Sequence, residues 1–109
     1  MTILEVQTRE EDGAVHLALT GELDLSTVDK VEDELRRVED GGAETVVLDL
    51  SSLSFLDSTG LRTIVTADQR ARKAGRRLAI VKGPETVHRV FTITRLDERL
   101  DMVDGADDL

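Results

Sequence analysis

Residues 45–50 (TVVLDL) restrict the possible fold of this chain more than any other segment. The run is short, rich in β-branched residues and almost continuously apolar, which is typical of a central strand covered on both faces. Residues 77–81 (RLAIV) form another strand-like run. Strands of this kind that alternate with amphipathic helices predict a largely parallel sheet.

Three segments carry the apolar spacing of amphipathic helices. The first has a capping-box-like start at residues 26–29 and ends at residues 41–42 (Gly-Gly). The second begins near Ser58 and ends at Gly75, and the third follows Pro84, a residue that suits the first turn of a helix. The apolar stripe of the first helix consists of Val28, Val31, Leu35 and Val38.

Two alternating runs, residues 3–8 and 15–20, precede the first helix and flank a turn at Gly13, which predicts an antiparallel pair. The element order is β-β-α-β-α-β-α with a weak final element, consistent with a short last strand. We therefore expect an α/β fold in a single domain, residues 1–109. Its mixed, mostly parallel sheet has four to five strands, and residues 104–109 form a flexible tail.

The charge of the chain narrows the kinds of partner. The 14 Lys and Arg residues against 23 Asp and Glu residues give a net charge of −9. An acidic domain repels nucleic acid and anionic membrane surfaces, so we expect neither as a partner. Solubility is the simplest reason for the charge.

The chain contains no cysteine, which excludes a disulfide, a cysteine-based zinc site and a thiol nucleophile. Its first residues lack the basic and apolar regions of a signal peptide, and no apolar run approaches the ~20 residues of a membrane span. No phosphate-loop motif and no metal-ligand spacing is present. We expect a cytoplasmic protein without a metal or cofactor.

The carboxyl ends of the parallel strands are the expected functional edge of such a sheet. Residues 51–57 are interpreted as a loop that leaves the strand at 45–50 and places Ser58 at this edge. Residues 21–25 (GELDL) are expected to reach the same edge. Asp57 and Ser58 both have side chains that cap helices, so capping is an alternative to a functional role for each of them.

A catalytic role for Ser58 has little support. Leu56 stands where a G-x-S-x-G nucleophile elbow has its first glycine, and Leu61 stands where an S-x-x-K motif has its lysine. His16 is expected on the solvated face of a strand and His88 on a helix surface. We therefore expect no enzyme and no catalytic residue.

Basic residues cluster late in the second predicted helix. We expect them to complement its C-terminal dipole, with a partner contact as the alternative. They are Arg70, Arg72, Lys73, Arg76 and Arg77.

Three segments resemble the anti-sigma factor antagonists of the bacterial STAS domain family. They are residues 21–25 (GELDL), 46–51 (VVLDLS) and 55–61 (FLDSTGL), and residues 77–81 before a proline-started helix agree with them. The resemblance covers residues 3–104 and implies the STAS fold. The D-S-[ST]-G-L element is its most specific part, whereas GELD alone is weak.

The resemblance implies a phosphorylation switch. Such proteins, when unphosphorylated, bind an anti-sigma factor that is also a serine kinase, which frees a sigma factor for transcription. Phosphorylation of the serine that matches Ser58 ends the complex, and a PP2C-type phosphatase restores the binding form. Thr59 stands where many relatives have a second serine, so it is an alternative phosphate acceptor.

The resemblance also implies a surface that binds the anti-sigma factor. Leu61 on this surface is equally a candidate for the core. Two other roles stay open: a scaffold subunit of a stress-signalling assembly, and a module that binds a small ligand or nucleotide. The expected partner-binding residues are Asp24, Leu25, Asp57, Ser58, Thr59, Gly60, Leu61 and Arg62.

Overall fold

The computed structural model describes residues 3–109, which form a five-stranded sheet and three α-helices. This order confirms the α/β expectation, including the short last strand. Single 3-10 turns lie at Leu96–Glu98 and Ala106–Asp108. The strands are β1 (Leu4–Glu11), β2 (Ala14–Leu23), β3 (Thr45–Leu56), β4 (Arg77–Val81) and β5 (Asp101–Val103), and the helices are α1 (Val28–Asp40), α2 (Ser58–Lys73) and α3 (Glu85–Ile93).

The five strands lie side by side in chain order. β1 and β2 are antiparallel, and Asp12 and Gly13 make the tight turn between them with φ angles of 53° and 81°. The pairs β2–β3, β3–β4 and β4–β5 are parallel. Since each parallel step moves across the sheet in the same direction, right-handed crossovers place α1, α2 and α3 on one face.

The main core fills the space between this face and the helices. The predicted apolar stripe of α1 is buried there, and Phe91 of α3 has no exposed surface. The strands contribute Leu17, Leu19, Leu48, Leu50 and Ile80, each fully buried.

The opposite face of the sheet carries a second, smaller cluster of Ala14, Val47 and Val81, against which Val103 packs. Val47 is fully buried. The expected cover on both faces of the strand at residues 45–50 is therefore only partly confirmed: one face is fully buried, but on the other Thr45 and Asp49 are half-buried beside Val47. Helices cover only one of these faces.

Two expectations about β2 and β3 are wrong. Residues 51–57 were expected to form a loop, but β3 continues to Leu56 because β2 supplies backbone partners as far as Leu23, with two register shifts. His16 was expected on a solvated face, but only 7% of it is exposed. It lies opposite Val47 in the sheet, on the face that carries the small cluster.

The expected capping box of α1 is also wrong. α1 begins at Val28, and the Thr27 side chain makes no cap hydrogen bond. The Thr27 hydroxyl instead donates to the Glu22 carbonyl at 2.9 Å, which fixes the chain between β2 and α1. The flexibility of residues 104–109 stays a prediction, and three of these residues form the last 3-10 turn.

Candidate functional site

The carboxyl ends of β2 and β3 lie together at one edge of the sheet, where Leu23 is the register partner of Leu56. The backbone N–H of Asp57 donates to the Leu23 carbonyl at 3.2 Å. The chain then leaves β2 through residues 24–27 and leaves β3 directly into α2. This edge therefore brings the GELDL segment next to the start of α2, as the sequence predicts.

Asp57 organises both of these segments. It is the N-cap of α2, with extended backbone angles of φ −102° and ψ −178°. Its Oδ1 accepts a hydrogen bond from the Gly60 N–H at 2.9 Å, and its Oδ2 accepts one from the Leu25 N–H at 3.2 Å. The capping interpretation of Asp57 therefore holds, and the same carboxylate also holds the loop that follows β2.

Ser58 is the first residue of α2 and is exposed. Within residues 3–109 its hydroxyl makes no hydrogen bond, and the backbone N–H groups of Ser58 and Thr59 have no acceptor there. Since Asp57 caps the helix, the Ser58 hydroxyl is not needed for capping. The hydroxyl is therefore accessible for reaction. It lies at the start of a helix, where the backbone N–H groups of Ser58 and Thr59 have no hydrogen-bond acceptor within residues 3–109.

The loop from Asp24 to Thr27 is ordered by its own hydrogen bonds. Asp24 Oδ1 accepts from the N–H of Ser26 at 2.9 Å and from its hydroxyl at 2.7 Å, and Thr27 Oγ1 accepts from the Asp24 N–H at 3.0 Å. Leu25 sits in this turn with 75% of its surface exposed. A rigid turn therefore presents an apolar side chain at the edge.

Gly60 is a packing residue. A Cβ atom at this position would lie 2.7 Å from Leu23 Cγ and 2.8 Å from Leu56 Cδ1. The absence of a side chain lets the first turn of α2 approach the ends of β2 and β3. Leu61 is half-buried and packs against the main core, whereas Arg62 is exposed.

Phe55 lies at the same edge but is not among the residues that the sequence predicts to bind a partner. It is the register partner of Glu22 and lies two positions before Asp57, with 45% of its surface exposed. Its aromatic character was the only available signal, and treating residues 51–57 as a loop concealed which side of a strand it occupies. An exposed aromatic side chain is typical of a protein interface.

Four of the five basic residues late in α2 and after it, all except Lys73, form ion pairs or hydrogen bonds within residues 3–109. Arg70 forms two hydrogen bonds with the Glu39 carboxylate of α1, at 2.9 and 2.8 Å. Arg72 pairs with Asp68 at 2.8 Å, and Arg77 pairs with Asp101 at 2.7 Å. Arg76 donates to the Glu39 carbonyl at 2.7 Å. These contacts stabilise the end of the molecule remote from Ser58.

No group of three or more His, Cys, Asp or Glu side chains within residues 3–109 is arranged to hold a metal ion. Over the same residues, the helices are too short or too polar to cross a membrane.

Comparison with known proteins identifies the family of this chain. The STAS domain model matches residues 5–108. The chain is 27% identical over 104 residues to the anti-sigma-B factor antagonist of Staphylococcus aureus, covering 95% of this chain and 96% of that protein.

The structure of this chain resembles that of an anti-sigma factor antagonist from Mycobacterium paratuberculosis with a TM-score of 0.88 at 23% identity, covering 97% of this chain and 90% of that one. It also resembles the phosphorylated form of the Bacillus cell fate determinant SpoIIAA with a TM-score of 0.74 at 23% identity, covering 94% and 93%. The chain belongs to the STAS domain family.

Proposed function

We propose that this protein is an anti-sigma factor antagonist whose binding is switched off by phosphorylation of Ser58. The unphosphorylated form binds an anti-sigma factor that is also a serine kinase, and a PP2C-type phosphatase reverses the modification, all in the cytoplasm. The observation that carries the proposal is the exposed, unbonded hydroxyl of Ser58 beside a cap supplied by Asp57. The curated relatives named anti-sigma-B factor antagonists support it.

The proposed partner surface is the carboxyl edge of β2 and β3. Leu25, Phe55, Ser58 and Arg62 are its exposed side chains and contact the partner directly. The other residues of the surface are half-buried or buried, and they act mainly by positioning the exposed ones. They are Asp24, Asp57, Thr59, Gly60 and Leu61.

Thr59 is the weaker candidate for the phosphate acceptor. Its side chain is half-buried, whereas Ser58 is exposed. A kinase needs the hydroxyl to reach its active site, so the more exposed residue is favoured as the acceptor.

Phosphorylation of Ser58 would change the surface and leave the fold intact. It adds about −1.5 to −2 charges, which the N-terminal end of α2 favours by about 0.3–1 kcal/mol, and the adjacent Asp57 opposes. Binding responds differently, because a phosphate buried against a partner without a basic group costs several kcal/mol. Since about 1.4 kcal/mol is a tenfold change in affinity, we expect a loss of a hundredfold or more.

The experiment mixes the protein with anti-sigma kinases encoded in its own genome, adds ATP, and maps the phosphate by mass spectrometry. We expect one phosphate, on Ser58. Ser58→Ala should bind permanently and resist modification, and Ser58→Asp should bind poorly. Thr59→Val is the matched control and should still be phosphorylated.

Two results together would contradict the switch: no kinase-dependent phosphate on Ser58, and unchanged binding by Ser58→Asp. A phosphate lost in Thr59→Val but retained in Ser58→Ala would move the acceptor to Thr59.

A further inference from the structure

We propose that Arg62 is the counter-charge of a phosphate carried by Ser58. The inference rests on the proposed phosphorylation of Ser58 and assigns the group that compensates the added charge. The pair would belong to this chain alone and would need no partner.

The position of Arg62 on α2 brings it to the phosphate. Arg62 follows Ser58 by four residues on the same helix, and residues at this spacing are neighbours on one helix face. Long side chains on a helix incline toward its N-terminus, so the guanidinium of Arg62 extends toward the turn that begins with Ser58. Both side chains are exposed, so solvent gives the arginine room to reach the phosphate.

Arg62 is also available to form a new ion pair. Within residues 3–109 its guanidinium makes no hydrogen bond and no ion pair. Two other arginines of α2 are engaged, since Arg70 pairs with Glu39 and Arg72 pairs with Asp68. A new anion at the start of α2 therefore finds a cation that need not leave an existing partner.

A cation near Ser58 would offset the repulsion between a phosphate and the neighbouring carboxylate. Arg62 is the only basic residue in the sequence between Arg37 and Arg70. The neighbouring carboxylate of Asp57 repels a phosphate, although both of its oxygens already accept backbone N–H groups. The unused N–H groups of Ser58 and Thr59 supply the remaining donors. The phosphate would thus lie between two backbone donors and one guanidinium.

The test measures the titration of the phosphate itself. Phosphoserine is installed at position 58 during translation, without any kinase, and its second ionisation is followed by ³¹P NMR. Because Arg62 favours the dianion, Arg62→Gln should raise this pKa by about 0.3 units above that of the unsubstituted protein. The difference should shrink in 1 M salt, where the Debye length is about 3 Å.

Two variants separate charge from other effects. Arg62→Lys keeps the cation and should titrate close to the unsubstituted protein. Lys73→Gln removes an exposed cation from the same helix, 15 residues beyond Ser58 and therefore about 22 Å away, and should leave the phosphate pKa unchanged. A second readout is Tm: the difference in Tm between the phosphorylated and unphosphorylated forms should be about 2 °C less favourable to the phosphorylated form in Arg62→Gln than in the unsubstituted protein.

The inference is overturned if Arg62→Gln titrates like the unsubstituted protein, or if Arg62→Lys behaves like Arg62→Gln. Either result leaves the proposed function in place, because the switch needs only the phosphate. Conversely, failure of every anti-sigma kinase to modify Ser58 removes the proposed function, but it does not alter the NMR comparison.

Discussion

The carboxylate of Asp57 accepts a hydrogen bond from the backbone N–H of Leu25 at 3.2 Å, across 32 positions of sequence. Its other oxygen accepts from the Gly60 N–H and caps α2. One side chain therefore ties the start of α2 to the turn that follows β2. The exposed Leu25 and the exposed Ser58 keep a constant relation to each other because of this carboxylate.

Replacing Asp57 should therefore affect stability and binding together. Asp57→Ala loses both hydrogen bonds, and we expect the free energy of unfolding in urea to fall by about 1–2 kcal/mol. Asp57→Asn keeps one side-chain oxygen as a cap and should lose less than half as much. Equal stability of the alanine and asparagine variants would show that Asp57 does not act as a cap.

Gly60→Ala should destabilise the protein although alanine is the better helix former. The new Cβ would lie 2.7 Å from Leu23 Cγ and 3.0 Å from the Leu23 carbonyl oxygen, and a carbonyl cannot turn aside as a side chain can. We expect a loss of about 1–3 kcal/mol in urea unfolding, larger than the gain of about 1 kcal/mol in helix propensity.

Gly41→Ala is the control for Gly60→Ala. Gly41 has a φ of −75° at the end of α1, and its nearest contact for a Cβ is 3.4 Å away. We expect a change within about 0.5 kcal/mol. If both glycine variants were equally stable, the close packing of α2 on Leu23 would not be what requires Gly60.

Two exposed apolar side chains at the proposed partner surface should matter for binding. Leu25 is 75% exposed, so Leu25→Ser removes little contact within the domain, whereas Phe55 is 45% exposed and Phe55→Ser also loses some of that contact, so its affinity is measured on protein shown to be folded. We expect each to weaken binding of the anti-sigma factor by about tenfold or more, measured by calorimetry.

Ile93→Ser provides the matched control for these two variants, since Ile93 is 72% exposed but ends α3, away from the carboxyl edge of the sheet. Its affinity should not change. An equal loss of affinity in all three variants would place the partner surface elsewhere.

Local periodicity and long-range pairing explain which features could be predicted. The stripe of α1 and the strand at residues 45–50 follow from spacing and composition within one segment, so both were found. The extension of β3 to Leu56 depends on pairing with β2, about 30 residues earlier in the chain, and residues 51–55 (SSLSF) show no clear alternation. The burial of His16 similarly depends on Val47 of the neighbouring strand.

The sequence predicts that Ser58 and the GELDL segment lie at one edge of the sheet, and the structure has them there, but which side chain caps α2 was not predictable. Asp57 and Ser58 both have side chains that cap helices, and only the backbone geometry assigns the cap to Asp57 and leaves the Ser58 hydroxyl unbonded. The rule that functional groups gather at the carboxyl ends of parallel strands was enough to identify the edge of the sheet. The contact between Asp57 and Leu25 required the tertiary structure.

Glu34 on α1 gives the fold a pH dependence that can be measured. Its carboxylate pairs with the Arg37 guanidinium through contacts of 2.7 Å at Nε and Nη2, and it also accepts a hydrogen bond from the Thr8 hydroxyl of β1. The bonds from Arg37, and then the bond from Thr8, lower the pKa of Glu34 from 4.5 to about 2. Because the folded state favours the ionised form, this contribution to stability is complete above pH 4.5 and is lost as the pH falls toward 2.

Glu34→Gln should therefore lower the free energy of unfolding by about 1 kcal/mol at pH 7, an amount reduced by solvent screening of a partly exposed pair. The gap between this variant and the unsubstituted protein, measured by urea unfolding at several pH values, should narrow below pH 4.5 and close near pH 2. Glu44→Gln is the control, because the Glu44 carboxylate makes no hydrogen bond or ion pair within residues 3–109. The difference in unfolding free energy between Glu34→Gln and the unsubstituted protein could instead stay constant from pH 7 to pH 3. The contacts with Thr8 and Arg37 would then not depend on the charge of Glu34, and the glutamine variant would lose stability for a steric reason.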